Sequence, residues 1–327
     1  MPWVIRDVVK DISKAVGRRW ADLDPLLPDP GDLPEGCMAP LVAEGQNGRP
    51  AGLAICRHQH VPVDSLLQTW GTATRFVLTP RLRDPDTLAA ADQLLAQWRE
   101  HLARLPEAHE DDTSAIITWP SRDVSGVRAL LGHGMQPMAV LAARPAGRRA
   151  QVPVPGALAP GSEQGLVIRE AGPDDLDAVA DLEMGVILYD AYFGGSIPRA
   201  ATKALTRKGS RVSLQQRPSW TWLAERDGQA VGLLTVQPPK DAAWIAGMTR
   251  PAPAAYLQSM FVRPEERGAG VSAALVERAH AELDAHRVAV TLLHYAQVNP
   301  RSAPFWSRMG YRPLWTIWEA RPAATLR

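Results

Sequence analysis

The chain contains only two cysteines, Cys37 and Cys56, among its 327 residues. Two thiols are too few for a disulfide framework or for a zinc centre built on thiolates. We therefore predict a cytoplasmic protein in which both cysteines are buried, unpaired thiols. His58 and His60 alternate along a predicted strand, but no third ligand follows at a usual spacing, so they are interpreted as a surface pair. The sequence predicts a protein without a metal.

Long apolar runs and an excess charge of one sign are also absent. No run reaches the roughly 18 apolar residues of a membrane span, and the first residues lack the basic-then-apolar pattern of a signal peptide. The chain has 36 Lys and Arg against 35 Asp and Glu, a net charge of +1. This balance favours neither a nucleic acid nor a membrane as partner. We expect a small-molecule partner and a monomer or homodimer.

One glycine-rich turn lies between a predicted strand and a predicted helix. The strand runs from Tyr256 to Val262, and Arg267-Gly-Ala-Gly270 precedes an apolar helix. The first N–H groups of a helix are unpaired and carry a positive partial charge, so this turn predicts a pyrophosphate site. The two common nucleotide loops are excluded. No lysine follows Lys240, and only Gly268-x-Gly270 of the pattern Gly-x-Gly-x-x-Gly is present.

Two segments in this half of the chain resemble the GNAT superfamily of N-acetyltransferases. Arg267-x-x-Gly270-x-Ser272 is similar to the family's acyl-CoA loop, with serine at a position where the family has Gly or Ala. The segment from Asn299 to Pro313 resembles the second family pattern, an asparagine followed by Phe, Gly and an aromatic residue. The resemblance implies an α/β (α+β) fold. Its sheet is mixed, mostly antiparallel and flanked by helices, and its fourth and fifth strands splay apart.

The same resemblance implies how acetyl-CoA or CoA binds as a co-substrate. The pantetheine arm enters the gap between the splayed strands and pairs with the backbone of the fourth strand, while the pyrophosphate lies on the loop amides. The residues at these positions are Met260, Phe261, Val262, Arg267, Gly268, Ala269, Gly270, Val271, Ser272, Asn299, Ser302 and Trp306.

The resemblance further implies direct attack of an acceptor amine on the thioester. A backbone N–H of Met260 or Phe261 would polarise the thioester carbonyl as an oxyanion hole does. Trp306 replaces the family's usual tyrosine acid, and an indole N–H is too weak an acid to protonate a thiolate. Tyr295, at the end of the fifth strand, is the candidate replacement. Protonation by solvent, or a packing role for Tyr295, is the alternative.

His294 is the candidate general base, because the unperturbed pKa of histidine lies near 6.5. Side chains alternate along a strand, so His294 and Tyr295 are expected to face opposite sides of the sheet. A solvated histidine, or one satisfied within the core, is the alternative.

The candidate residues for binding the acceptor come from the first helical pair and from two strands. They are Tyr189, Tyr192, Glu225 and Gln258. Glu225 has a counterpart, Glu44, in the other half of the chain, which favours a structural role for both. Asp190 lies in the same helical segment as the tyrosines and offers a carboxylate for an amine. An exposed carboxylate on a helix surface is the simpler interpretation.

The two halves of the chain look alike. Residues 41–56 and 222–236 are both predicted hairpins with an Asn-Gly or Asp-Gly turn, and residues 118–137 parallel residues 298–313. A segment rich in Pro and Gly lies between the halves. We therefore predict two GNAT-like domains in tandem. The predicted parts are a degenerate domain at 1–145, a linker at 146–165 and a catalytic domain at 166–327.

The N-terminal copy lacks the features of a donor site. Its loop at residues 81–87 has no glycine, and Asp84 and Asp86 would repel a phosphate. We expect this copy to be a scaffold that covers or shapes the acceptor pocket of the other.

Three functions are compatible with these patterns. The leading hypothesis is an acyl-CoA-dependent N-acyltransferase, which most often moves an acetyl group to the amine of a small molecule. The second keeps the fold but takes the acyl group from the phosphopantetheine arm of an acyl carrier protein. The third is a non-catalytic protein that binds CoA or a partner. The loop patterns do not specify the acceptor.

Overall fold

The computed structural model describes residues 2–45, 49–85, 87–148 and 165–327. They form two compact units. Unit 1 comprises residues 1–62, 72–140 and 313–327, and unit 2 comprises residues 63–71 and 141–312. The predicted Asn-Gly turn of the first hairpin, Asp86 and most of the predicted linker lie outside the described residues.

Unit 1 is a sheet flanked by helices. Its strands are β1 (Leu41–Glu44), β2 (Pro50–His60), β3 (Thr74–Leu82), β4 (Thr113–Pro120) and the C-terminal β11 (Arg312–Ala320), in that spatial order. Its helices are α1 (Pro2–Leu23), α2 (Thr87–Ala103) and α3 (Val124–Gly132). β3 and β4 are parallel, and the other neighbours are antiparallel. Strand β5 (Gln136–Pro145) is divided between the units at residue 140. Trp98 and Phe76 are fully buried between α2 and the sheet.

Unit 2 has the same construction. Its strands β6 (Leu166–Glu170), β7 (Thr221–Arg226), β8 (Gln229–Gln237), β9 (Ala254–Val262) and β10 (Val290–Ala296) are neighbours in that order. Its helices are α4 (Leu176–Ala191), α5 (Thr202–Leu214), the short α6 (Ala243–Ala246), α7 (Val271–Ala285) and α8 (Ser302–Arg308). Only β9 and β10 are parallel among these pairs. Leu182 of α4 is buried with Leu223 and Leu233 of the sheet.

The predicted tandem fold is confirmed. A hairpin, a strand, a helix, a strand, a helix and a last strand follow one another twice, first as β1-β2-β3-α2-β4-α3-β5 and then as β7-β8-β9-α7-β10-α8-β11. The Asp-Gly turn of the second hairpin has positive φ at both residues, 49° at Asp227 and 77° at Gly228. Two such residues are what a tight two-residue hairpin turn requires.

The division into units differs from the predicted boundaries, which followed chain order. β11 pairs with β4 from Trp315↔Pro120 to Ala320↔Ala115, so the end of the chain belongs to unit 1. Local sequence patterns cannot show which strand a last strand joins. Residues 63–71 belong to unit 2, where Thr69 O accepts from Ile197 N at 2.7 Å and Thr69 Oγ1 lies 2.9 Å from Thr202 Oγ1. A segment of the first half thus holds the loop before α5.

The two cysteines differ in their exposure to solvent. Cys56 is buried as predicted, but the prediction for Cys37 is wrong, because its side chain is exposed. Among the helices of the described residues, none combines the length and the apolar character needed to cross a membrane.

Candidate active site

The two central strands of unit 2 separate after a short parallel pairing. β9 and β10 pair at Val290↔Ala254, Thr291↔Ala255 and Leu292↔Tyr256, and both strands continue beyond these pairs. The splayed strands predicted from the sequence are therefore present. From Leu257 to Val262, one edge of β9 pairs with β8 while the other faces the gap. At about 3.3 Å per residue, this free edge is about 17 Å long.

The loop at the open end of the gap leads into the N-terminus of α7. Gly268 and Gly270 have φ of +89° and +81°, a backbone conformation that glycine adopts without strain. Gly270 is the N-cap of α7 and has no side chain to accept from the first helical N–H groups. A Cβ built on Gly268 meets no atom within 4 Å, so the space above the loop is open. Among the described residues, no partner is found for the glycine amides of this loop, which lie at the positive end of a helix dipole.

Arg267 holds this loop against β9 and α4. Its Nε donates to Val262 O at 3.1 Å, and its guanidinium lies 4.7 Å from the ring centre of Tyr189 and 5.6 Å from that of Phe261. Phe261 in turn lies against Gly185 of α4, where an added Cβ would come within 2.7 Å of its ring. Tyr189, predicted to bind the acceptor, thus contacts the loop arginine.

A polar cluster lies where β9 and β10 part. It consists of Asp190, Tyr256 and His294, which we call the vertex cluster. The Tyr256 hydroxyl lies 3.0 Å from Nδ1 of His294, and the two rings are 5.7 Å apart. Tyr256 is the last residue of β9 to pair with β10, and His294 lies two residues beyond its partner Leu292. Asp190, in the last turn of α4, acts electrostatically on Tyr256.

Burial sets the protonation states of the vertex cluster. It raises the pKa of Asp190 to about 6 and lowers the pKa of His294 to about 4. Burial, and then the charge of Asp190, raises the pKa of Tyr256 above its usual range. At neutral pH the cluster is therefore a carboxylate, a phenol and a neutral imidazole. In the residues that the structure describes, no hydrogen-bond or ion-pair partner of the Asp190 carboxylate is found.

The neighbouring residues of β9 extend the vertex cluster. The pairing of β8 with β9 shifts between Thr235↔Ser259 and Val236↔Leu257, which leaves Gln258 as the extra residue of a bulge. Bulges redirect side chains and are frequent beside active sites. Gln258 Oε1 accepts from Gln237 Nε2 at 2.7 Å, and the Oε1 of Gln237 accepts from Trp244 Nε1 at 2.7 Å. The ring of Trp244 lies 5.0 Å from that of Tyr256.

The other predicted catalytic and donor residues lie on β9, β10 and α8. Tyr295 is 8% exposed, and burial raises its pKa. Asn299 is buried and its Oδ1 accepts from Arg301 N at 3.1 Å, just before Ser302 begins α8. Trp306 is buried between Phe305 and Tyr311, with ring centres 4.9 and 5.3 Å away. Met260 of β9 pairs with Leu234 of β8, and at this position the other edge of β9 faces the gap.

Two predicted acceptor residues make no hydrogen bond or ring contact with the vertex cluster among the described residues. Glu225 Oε1 and Oε2 accept from Arg169 Nη2 and Nε at 2.6 and 3.0 Å, and Arg169 also binds Asp175. Glu225 therefore has the ionic partner that a structural role requires. Tyr192 follows α4 and is 84% exposed.

In the described part of the equivalent loop of unit 1, Asp84 is bound by side chains of α1 and α2. Asp84 Oδ1 accepts from Thr87 Oγ1 at 2.8 Å, at the start of α2, and from Arg19 Nε at 2.9 Å. The helix N-terminus thus already has a carboxylate beside it, which repels a second anion. The absence of a donor site from the N-terminal copy stays a prediction, for which this carboxylate is a structural reason.

The vertex cluster was largely missed by sequence reasoning. The interpretation of Asp190 as an exposed carboxylate is wrong, because its side chain is half-buried with a raised pKa. The sequence places Tyr256 only at the start of a strand, although its spacing of two residues from Gln258 predicts that both side chains share one face. The sequence identifies His294, but the contact of His294 with Tyr256 depends on the register of β9 and β10.

The comparisons with known proteins agree with this fold. Residues 217–313 match the family model described as an acetyltransferase (GNAT) domain. A GCN5-related N-acetyltransferase from Sphaerobacter thermophilus shares the fold, with a TM-score of 0.51 and 15% identity over 86% of this chain and 80% of that one. No curated protein matches the chain.

Two further solved structures are similar at lower scores. One is the glucosamine N-acetyltransferase region of a fungal multi-domain GH3 beta-N-acetylglucosaminidase, with a TM-score of 0.48 and 14% identity over 85% of this chain and 32% of that one. The other is a tandem GNAT protein from the clavulanic acid biosynthesis pathway, with a TM-score of 0.44 and 14% identity over 97% of this chain and 96% of that one.

Proposed function

We propose that this chain, whose residues 217–313 form a GNAT acetyltransferase domain, is an acyl-CoA-dependent N-acyltransferase that acts on a small cationic amine. The observation that carries the proposal is the juxtaposition of two sites in unit 2. A loop whose glycine amides have no partner among the described residues leads into the N-terminus of α7 at one end of the gap. Asp190, whose carboxylate has no ionic partner among those residues, acts electrostatically on Tyr256, where β9 and β10 part.

The residues of unit 2 fit an acyl-CoA donor. The amides from Gly268 to Ser272 would hold the pyrophosphate, because the glycine N-cap leaves them unpaired and the space above Gly268 is open. The free edge of β9 from Leu257 to Val262 would pair with the amides of the pantetheine arm. A thioester delivered along this edge ends near the vertex cluster, where the N–H of Met260 or Phe261 would polarise its carbonyl.

Asp190 is suited to an ammonium acceptor. Its carboxylate is half-buried and has no ionic partner among the described residues, so a bound cation would supply the missing charge. With a pKa of about 6, Asp190 is ionised at neutral pH, and because this pKa lies near the working pH the carboxylate can accept a proton. His294, with its pKa lowered to about 4, is the weaker base, so we assign it to orienting Tyr256.

In the proposed reaction, each bond that forms is matched by one that breaks, and residues of unit 2 move the protons. The donor supplies an acyl group whose carbon–sulfur bond breaks as the carbon–nitrogen bond to the amine forms. Asp190 would accept the first proton, which the ammonium group must lose before it can attack, and then release it to solvent. As the carbon–sulfur bond breaks, the nitrogen loses its second proton to solvent. Tyr295, kept protonated by its raised pKa, would give its own proton to the CoA thiolate and regain one from solvent.

We expect Tyr295→Phe to lower kcat about 100-fold, within the range of general acid–base groups. The KM for the donor should stay constant, because the ring is kept and only the hydroxyl is lost. Steady-state kinetics at saturating acetyl-CoA measure both. An unchanged kcat would assign the protonation of the thiolate to solvent and remove Tyr295 from the mechanism.

The proposed function is tested by supplying acetyl-CoA with a panel of small amines and following free thiol and acetylated product. We expect stoichiometric release of CoA with one or more cationic amines and little release with neutral alcohols. Release from an acyl carrier protein but from no acyl-CoA would favour the carrier-dependent transferase. CoA binding without turnover on any amine would contradict an enzymatic function.

A further inference from the structure

A second cluster of reactive side chains lies in unit 1 and takes no part in the proposed reaction. His58 and His60 alternate at the end of β2, so their side chains project from the same face of the strand. Their rings lie 4.5 Å apart. Two histidines in this relation are a chelating pair, but a pair alone does not make a metal site.

The fold adds a carboxylate that the sequence did not place there. Glu107, in a 3₁₀ turn at Pro106–His109 after α2, brings its Oε2 to 3.2 Å from His58 Nε2 and 4.0 Å from His60 Nε2. The ligand atoms of the three residues all lie within 4.8 Å of one another. Zinc bonds of about 2.0–2.2 Å at tetrahedral angles separate neighbouring ligands by about 3.3–3.5 Å. The 3.2 Å contact of Glu107 with His58 already has about this spacing, whereas His60, 4.0 Å from Glu107, would have to move closer.

The two imidazoles are held with their Nε2 atoms toward the carboxylate. His60 Nδ1 lies 3.1 Å from Thr74 Oγ1, a contact that fixes the ring and leaves Nε2 free as a ligand. His58 is stacked on Phe76, with ring centres 4.4 Å apart and planes 18° from parallel. His58 Nε2 is shielded from solvent, and its 3.2 Å contact with Glu107 Oε2 is not aligned as a hydrogen bond. A shielded ring nitrogen that lacks a well-aligned hydrogen bond can be satisfied by a bound cation.

We propose that His58, His60 and Glu107 bind one Zn²⁺ ion, with water completing the coordination. Two imidazoles and one carboxylate are ligands that zinc accepts, and a three-residue set leaves a position open to water. The hard cations Ca²⁺ and Mg²⁺ prefer sites built of oxygen ligands, so this donor set selects against them. This proposal replaces the expectation of a metal-free protein and is independent of the acyltransferase site in unit 2.

The ion would connect two parts of unit 1 that are distant in the chain. Glu107 lies in the turn after α2, whereas both histidines lie at the end of β2. The side chains of His60 and Glu107 are 65% and 54% exposed, so the cross-link forms without opening the core. Bound zinc should therefore stabilise unit 1, because an ion that binds only the folded state shifts the folding equilibrium.

The test is a calorimetric titration of the metal-stripped full chain with Zn²⁺ alone. We expect one ion per chain for the wild type. Affinity should fall at least 10- to 100-fold in His60→Ala and in Glu107→Gln, since even changes outside the ligand set cost that much. Both side chains are largely exposed, so neither variant should unfold the protein. His109→Ala is the matched control, because His109 lies in the same 3₁₀ turn and bonds Ala103 O at 3.4 Å instead.

Thermal unfolding gives a second readout. At a Zn²⁺ concentration about 100 times the Kd, the Tm of the wild type and of His109→Ala should rise by roughly 5 °C or more over that in chelator. The two ligand variants should show no rise.

A second group of residues in unit 1 could bind zinc instead. Cys37, Cys56 and His101 also lie with their ligand atoms within 4.8 Å of one another. If Cys37→Ser abolishes zinc binding and His60→Ala does not, the ion belongs to the thiols and the proposal is wrong. A wild type that binds no stoichiometric Zn²⁺, or binds it equally well without His60 and Glu107, overturns it as well.

Discussion

Gly270→Asp should abolish CoA binding by unit 2. Gly270 caps α7 with φ of +81°, and a carboxylate there would stand at the point where the pyrophosphate meets the helix N-terminus. Loss of two hydrogen bonds to a charged group, at about 1.5–3 kcal/mol each, corresponds to an affinity loss of about 100-fold or more. Repulsion between the carboxylate and the phosphates acts in the same direction. Isothermal calorimetry with CoA measures the change.

Gly228→Asp is the matched control for this experiment. Gly228 also has a positive φ, +77°, and a Cβ added there meets no atom within 4 Å. Both variants therefore add the same charge and force a non-glycine residue into the left-handed region. Gly228 lies in the turn between β7 and β8, away from the loop. CoA affinity that is equal in the two variants would show that the α7 amides do not hold the pyrophosphate.

Asp190→Asn should lower kcat/KM for the amine by about 100- to 10,000-fold. The change removes the negative charge that attracts the ammonium group and the base that deprotonates it, and general acid–base groups alone contribute 10²–10⁴-fold. Donor affinity should be unaffected. Asp177→Asn is the matched control, because Asp177 lies in the first turn of the same helix and is an exposed partner of Arg207. Equal activity of both variants would remove Asp190 from the site.

The pH profile gives an independent signature of Asp190. Only the ionised carboxylate can attract the ammonium group and accept its proton. Because burial raises the pKa of Asp190 to about 6, kcat/KM of the wild type should fall as the pH drops through about 6. In Asp190→Asn this limb should disappear. A profile that falls near pH 4 instead would indicate His294 as the base, since its pKa is lowered to about 4.

The glycine loop and the helix start after it could be predicted from the sequence because their determinants are local. The glycines of the loop, the apolar strand before it and the helix after it lie within 32 consecutive residues, from Ala254 to Ala285. Each local signal has one physical cause: positive φ requires glycine, and a helix start leaves amides unpaired. The tandem arrangement was readable for the same reason, since it repeats local patterns.

The features that the sequence did not reveal depend on long-range pairing. Asp190 becomes a half-buried carboxylate only because the end of α4 lies over β9, and Tyr256 meets His294 only in the register that pairs it with Leu292. The pairing of β11 with β4 and the approach of Glu107 to His58 are of the same kind. Periodicity identifies strands and faces, but it does not specify their neighbours.

The number of CoA molecules bound per chain tests the central claim most directly. We expect a donor site in unit 2, where Gly270 has no side chain to bind the first amides of α7. We expect none in unit 1, where Asp84 accepts a hydrogen bond from Thr87 at the start of α2. Calorimetric titration of the intact protein with CoA should therefore give a stoichiometry of one, and Gly270→Asp should reduce it to zero. Two molecules per chain, or none, would contradict the account.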